Sequence, residues 1–228
     1  KYACFNCQIA CGRWIKVEDK KYSCEGCGPE YETCASLGTM CMNDNLLTVC
    51  KANDLCNRLG LDTISAGSTI AFAMECYEKG LITKKDTGGL ELKFGNGQAI
   101  VEMVKKIALR QDVGSVLAEG VKGASEKIGN GSQHFAMQIK GVEITGYEIR
   151  GLKTCALGYA VSRRGADHQR HGSYTWDQTG KVDRYKVDAG RGKLVMGDED
   201  NYCIFDSMIL CKFTRTIWKG YDEIAKVY

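Results

Sequence analysis

The sequence predicts a mainly α-helical chain with minor β structure, and three observations carry that expectation. Apolar residues recur at helical spacing through most of the stretch from Asn45 to Ile128. Pro29 is the only proline among 228 residues, so helices are almost nowhere forced to break. One stretch alone, "QHFAMQIKGVEI" (133–144), alternates well enough for one or two short strands.

Taken in order, residues 1–43 are rich in Cys and Gly with weak periodicity, and read as loop built around a site. "NLLTVCKANDLCNRLG" then sets Leu46, Val49, Cys50, Leu55, Cys56 and Leu59 on one helical face, with Gly60 as its stop. "DTISAGSTIAFAMECYEKG" starts from Asp62 as N-cap and stops at Gly80. Its small residues Ala66, Gly67, Ser68, Ala71 and Ala73 predict the close approach of another backbone. Residues 96–111 are amphipathic, with Ile100, Val104, Ile107 and Ala108 on one side, and a fourth helix is expected over 113–128. Gly141, Gly146, Gly151 and Gly158 recur near Tyr147 and His168, so 141–172 reads as a second site-building region. A last helix is expected over 200–213. The boundary falls within 130–145, giving domains 1–140 and 141–228.

Composition excludes several classes. A net charge of +3 with no basic tract argues against a nucleic-acid partner. No apolar run approaches the ~18 residues that a membrane helix needs, so no membrane insertion is expected. The opening "KYACFNC" lacks the apolar stretch of a signal peptide. Thirteen cysteines are many, but the count is odd and the chain is larger than the small exported domains that disulfides staple. Reduced thiols, some binding metal, fit better and imply a cytoplasmic, low-oxygen setting.

Cys4, Cys7 and Cys11 in "CFNCQIAC" are spaced x2 then x3, and thiolates that close serve one inorganic partner. Zinc sites pair two CxxC units, and Cys24-Glu-Gly-Cys27 offers a second. Iron–sulfur clusters often take three close cysteines and a distant one. Spacing alone leaves both open.

Four further segments follow that loop: "GPEYET" (28–33), "NRLGLDTIS" (57–65), "GYEIRGLKTCALGYAVSRRGADHQR" (146–170) and "DSMILCKF" (206–213). In this order and spacing, from Cys4 to about Phe213, the five motifs closely resemble the aldehyde:ferredoxin oxidoreductase family of tungsten-pterin enzymes. The resemblance implies a [4Fe–4S] cluster held by Cys4, Cys7, Cys11 and the distant Cys211. It also implies a tungsten (or molybdenum) bis-pterin, with magnesium as a further possible cofactor. Cys24 and Cys27 fall in an apparent insertion, either idle or a secondary metal or redox pair. The family's two pterin-contacting segments map to Asn57-Arg-Leu-Gly60-Leu61-Asp62 and Asp206-Ser-Met-Ile-Leu210-Cys211. Here Asn57 stands for an aspartate and Ile209 for a glycine. Arg170 matches a basic position near the pterin phosphates.

The resemblance sets Glu32 and His168 beside the metal, with Tyr31 and Tyr147 matching tyrosines that line that pocket in some members. His171, in the same loop as His168, is the alternative imidazole. Oxidising an aldehyde to a carboxylic acid needs water activated by a base and the carbonyl oxygen polarised by a donor, roles suited to a carboxylate and to an imidazole or phenol. The expected partners are ferredoxin or another electron carrier and a small aldehyde or acyl-CoA-type substrate. Members are longer than this chain, so activity is expected within a longer subunit, a homodimer or a larger complex. An interfacial metal seen in some family dimers is not expected, because Lys51 stands where a glutamate is needed. Three other functions remain open: a tungsten subunit reducing aromatic thioesters, a cluster-only electron-transfer module, and a zinc-stabilised binding module.

Overall fold

The computed structural model describes residues 1–186, 188–218, 222, 225 and 226. The chain divides into two units, Lys1–Gly146 and Tyr147–Tyr228. Both are mainly α-helical, as predicted, and among the described residues the strands form two small antiparallel pairs.

The first unit opens with a hairpin, β1 (Trp14–Val17) paired with β2 (Cys24–Cys27), in a region expected to be loop. The Asp19 carboxylate closes its turn by accepting from the amides of Lys21 and Tyr22, each at 2.7 Å. The hairpin's anchors are tertiary: Lys51 Nζ donates to the Ser23 carbonyl and Asn53 Nδ2 to the Cys27 carbonyl, both at 2.9 Å. Side chains alternate along β2, so Cys24 is buried while Cys27 is exposed on the other face. The two thiols therefore leave β2 on opposite faces.

Helix α1 (Tyr31–Leu37) follows, then α2 (Leu46–Leu59) and α3 (Thr63–Glu78). The predicted stops and caps hold. Gly60 takes the left-handed conformation, and Asp62 accepts from the Ser65 amide at 2.8 Å. Helix α3 buries Gly67, Ile70, Met74 and Cys76 on different sides, which makes it the central helix of this unit. Its small residues admit α1 closely, since a Cβ on Gly67 would lie 2.6 Å from the Ser36 backbone.

Helix α4 (Gly97–Ala108) lies within its expected range, whereas the helix expected over 113–128 is broken into α5 (Gly114–Leu117) and α6 (Gly120–Ile128). The break sits at Gly120, which has φ +74°, and there the Glu143 carboxylate accepts from the Val121 amide. The core joins Leu37, Val49, Ile70, Ile100, Met103 and Leu117. The alternating stretch contributes β3 (Gln138–Ile139) and β4 (Val142–Glu143); its first three residues fall in a 3-10 turn (Ser132–Phe135) that leaves His134 exposed.

In the second unit α7 (Lys153–Val161) was not expected. Its N-terminus is capped across 23 residues by the buried Asp177 carboxylate, which accepts from the amides of Thr154 (2.9 Å) and Cys155 (3.0 Å). Asp177 belongs to α8 (Tyr174–Gln178) and is neutralised by the buried Arg191 guanidinium at 3.1 Å. Arg191 belongs to α9 (Gly190–Ser207), which starts ten residues before the expected helix and ends six residues short of it. No helix among the described residues is long and apolar enough to cross a membrane.

Candidate active site

Glu32 sits on α1 with the face that is buried, one turn ahead of Ser36. Thr33 Oγ1 and Thr63 Oγ1 lie 2.8 Å apart, and Ser36 Oγ donates to the Thr63 carbonyl at 3.0 Å. These contacts fix α1 on the start of α3, and thereby the direction in which Glu32 leaves the helix. Glu32 is 8% exposed, whereas Glu30, one residue outside the helix, is exposed, and Tyr31 is 60% exposed. The Gly146 amide donates to Glu32 Oε2 at 2.8 Å, and Oε1 is buried with no hydrogen-bond partner among the described residues. Burial pushes this carboxyl above the ordinary carboxylate range, and the Gly146 amide pulls it part of the way back. Sequence reasoning found Glu32 but not its partner 114 residues away; the recurring glycines of 141–158 were the only signal.

His168 begins a 3-10 turn (His168–Arg170) and is 7% exposed. Its ring lies 5.2 Å from that of Tyr147, which in turn stacks on Tyr174 at 4.1 Å. Tyr174, not singled out from the sequence, completes an aromatic wall against the imidazole. Burial holds His168 below its ordinary value, against a smaller opposing pull from Asp167, so the ring is neutral near pH 7. Nδ1 is buried without a partner among the described residues, while Nε2 lies 2.9 Å from Gln169 Nε2.

His171 has a different setting. It is fully buried, its Nδ1 accepts from the Ser173 amide at 3.0 Å, and its ring packs edge-on to Tyr159. A Cβ on Gly158 would lie 2.4 Å from this ring. Burial, with His168 adding to it, pushes His171 down to about 4. It is a core residue, and the glycine-bounded loop is shaped around it.

The cysteine loop is pinched at its base by the Tyr2 amide, which donates to the Gly12 carbonyl at 2.8 Å. Inside the pinch, Asn6 and Ala10 have positive φ and the Cys7 amide donates to the Cys4 carbonyl. Cys4, Cys7 and Cys11 all carry free thiols, Cys4 and Cys11 exposed, and the Phe5 side chain between them is 95% exposed. Among the described residues no three His, Cys, Asp or Glu side chains converge as around a metal ion. Three unpaired thiols on one short closed loop are nevertheless the donor set that an iron–sulfur cluster takes. Cys211, in the second unit, is likewise free and exposed.

In the first pterin-segment candidate, Asn57 is exposed, Gly60 forms the left-handed turn, Leu61 is half-buried and Asp62 caps α3. In the second, Arg170 and Asp206 are brought together at 3.5 Å from 36 residues apart, and Lys212 Nζ joins Asp206 at 2.7 Å. Arg170 also donates to Cys203 Sγ at 2.7 Å, and Leu210 is half-buried.

A family model described as aldehyde ferredoxin oxidoreductase, domains 2 and 3, matches residues 1–228. The chain is 36% identical over 226 residues to a tungsten-containing aldehyde ferredoxin oxidoreductase of Pyrococcus horikoshii, covering 96% of this chain and 36% of that protein. A relative of the same name from Thermococcus kodakarensis is 34% identical over 224 residues, with the same coverage. The WOR-like subunit of an aliphatic sulfonate oxidoreductase from Pyrococcus furiosus is 31% identical over 175 residues, covering 73% of this chain and 28% of that protein. Among solved structures, the active-site complex of benzoyl-coenzyme A reductase with 1,5-dienoyl-CoA is similar at TM-score 0.63 and 26% identity, over 75% of this chain and 25% of that one. The chain thus spans about a third of the length of the oxidoreductases it matches, and it belongs to the aldehyde ferredoxin oxidoreductase family, in the part that comprises domains 2 and 3.

Proposed function

We propose that this chain is the cluster- and pterin-binding part of a cytoplasmic tungsten oxidoreductase that converts aldehydes to carboxylic acids and passes electrons to ferredoxin or a similar carrier. The observation that carries the reading is Glu32: a buried carboxyl that, among the described residues, is held by one amide with its second oxygen unpartnered. Cys4, Cys7, Cys11 and Cys211 would hold the [4Fe–4S] cluster, and Asn57, Gly60, Leu61, Asp62, Arg170, Asp206 and Leu210 would face the pterin. When bound, the tungsten-pterin and the cluster supply the two-electron acceptor and its one-electron outlet.

The chain's own residues supply the proton chemistry. In the overall reaction, aldehyde and water give the carboxylic acid, two electrons and two protons. Glu32 takes a proton from the attacking water; its raised affinity for protons, caused by burial, makes it a stronger base than an exposed carboxylate. His168, neutral near pH 7, donates a hydrogen bond to the carbonyl oxygen where negative charge develops. Tyr147, stacked between His168 and Tyr174, orients that ring or donates beside it.

In the whole enzyme, Glu32→Gln and His168→Asn should each lower turnover by ~10²–10⁴-fold, the range for one acid–base group, with iron and tungsten contents unchanged. Full turnover in both variants overturns the reading, as does a purified enzyme without iron or tungsten.

The likeness to the benzoyl-coenzyme A reductase complex favours a second reading, a subunit that reduces aromatic thioesters. Turnover of an aromatic acyl-CoA with a reduced carrier, and none of simple aldehydes, selects it.

A further inference from the structure

We propose that Gly146 is the positioning residue for Glu32: its amide holds the carboxylate and its missing side chain leaves the room that hold requires. This rests on the proposed role of Glu32 for its catalytic consequence, though not for its structural one. Among the described residues the Gly146 amide is the one hydrogen-bond donor to Glu32, at 2.8 Å. A Cβ on Gly146 would lie 2.8 Å from Ala35 Cβ and 3.4 Å from Glu32 Oε2. Gly146 does not have a positive φ, so the backbone itself tolerates alanine. The demand for glycine is therefore one of space against α1, three residues after Glu32 on the same helix.

The contact sets the size of the effect. Carbon atoms pack at about 3.5–4.0 Å, so an added methyl must retreat by about 1 Å from Ala35. That retreat carries the amide away from Glu32. A misplacement of this order costs about 10²-fold in turnover when the group it moves is catalytic. Because the obstacle is one methyl on a neighbouring helix, it can be removed there.

The experiment uses the whole enzyme with three variants: Gly146→Ala, Ala35→Gly, and both together. Gly146→Ala should lower kcat by about 10²-fold at unchanged metal content, and the double variant should recover most of it. Independently of turnover, the Glu32 carboxyl band in isotope-edited infrared spectra, identified by its loss in Glu32→Gln, should titrate at higher pH in Gly146→Ala. It should return in the double variant. A Gly146→Ala enzyme with an unshifted carboxyl titration overturns the proposal. So does a double variant that misfolds or fails to recover the titration, since it has the room that the single one lacks. A shifted and rescued titration with turnover unchanged throughout keeps Gly146 as the holder of Glu32 and instead refutes the catalytic reading of Glu32.

Discussion

The ends of α2 and α9 are built alike from different residues. In each, a residue in the left-handed region closes the turn after the helix, Gly60 at φ +71° directly after Leu59 and Ile209 at φ +56° two residues after Ser207. In each, the next amide reaches five residues back at 2.9 Å, Leu61 to the Cys56 carbonyl and Leu210 to the Phe205 carbonyl. Glycine adopts this conformation without strain, while a β-branched residue there is an outlier. Ile209 gains no packing in return, since its side chain is 92% exposed. The flanks differ too. The segment ending at Asp62 spends its carboxylate capping α3, whereas the one ending at Cys211 leaves its thiol with no capping bond. The turn is thus the shared element, and the residues around it are assigned to separate tasks.

The largest expected effect comes from making the first turn resemble the second. Among the described residues a Cβ on Gly60 would meet nothing within 4 Å, so Gly60→Ile tests backbone strain. The left-handed cost of about 1–2 kcal/mol for an L-residue, at its upper end for a β-branched one, is offset by about 0.5 kcal/mol from the stiffer unfolded chain. Urea unfolding should therefore show a loss of about 1.5 kcal/mol in the first unit. No loss would mean that the turn relaxes to another conformation.

Asp62→Ala should come next, costing about 1 kcal/mol through the lost α3 cap. Asp62→Asn, which keeps an oxygen that accepts, should recover most of it. Equal losses from both would move the role of Asp62 from capping to charge.

Ile209→Gly should act in the opposite direction, stabilising the second unit by about 0.5–1 kcal/mol, because the relief of strain outweighs the added freedom of the unfolded glycine. Destabilisation instead would show that the exposed isoleucine is held by something it packs against in the whole enzyme. Asp206→Asn should cost about 0.5 kcal/mol, since its pairs with Arg170 and Lys212 are partly exposed and screened by salt.

These two helix ends also show what the sequence could and could not reveal. Helices α2, α3 and α4 were legible because their apolar spacing, caps and stops are local. Gly60 and Asp62 announced their turn. The start of α9 was hidden because Gly190, Gly192 and Gly197 read as loop, while the contact that commits this stretch to helix, Arg191 on the buried Asp177, spans 14 residues. The hairpin was hidden for a similar reason: its strands are four residues each, and Lys51 and Asn53 of α2 anchor them. In the candidate site, motif resemblance named Glu32 and His168. The amide under Glu32 and the ring of Tyr174 beside His168 depend on contacts that no local pattern encodes.

The smallest stability effect carries the most information about function. Cys211 opens a 3-10 turn through its backbone, its carbonyl accepting from the Thr214 amide at 2.9 Å and from Thr214 Oγ1 at 2.7 Å, while its thiol is exposed. In chelator-treated protein Cys211→Ala should therefore leave stability unchanged within about 0.5 kcal/mol, as an exposed substitution does. In the iron-loaded enzyme the same change should abolish the cluster's visible absorbance, because three thiolates leave one iron of a [4Fe–4S] cluster without its protein ligand. Cys27→Ala, at another exposed cysteine, on β2, is the control and should spare both. If Cys27→Ala removes the absorbance and Cys211→Ala does not, the fourth ligand lies in the hairpin. The free thiol after α9 would then be only the end of a helix turn.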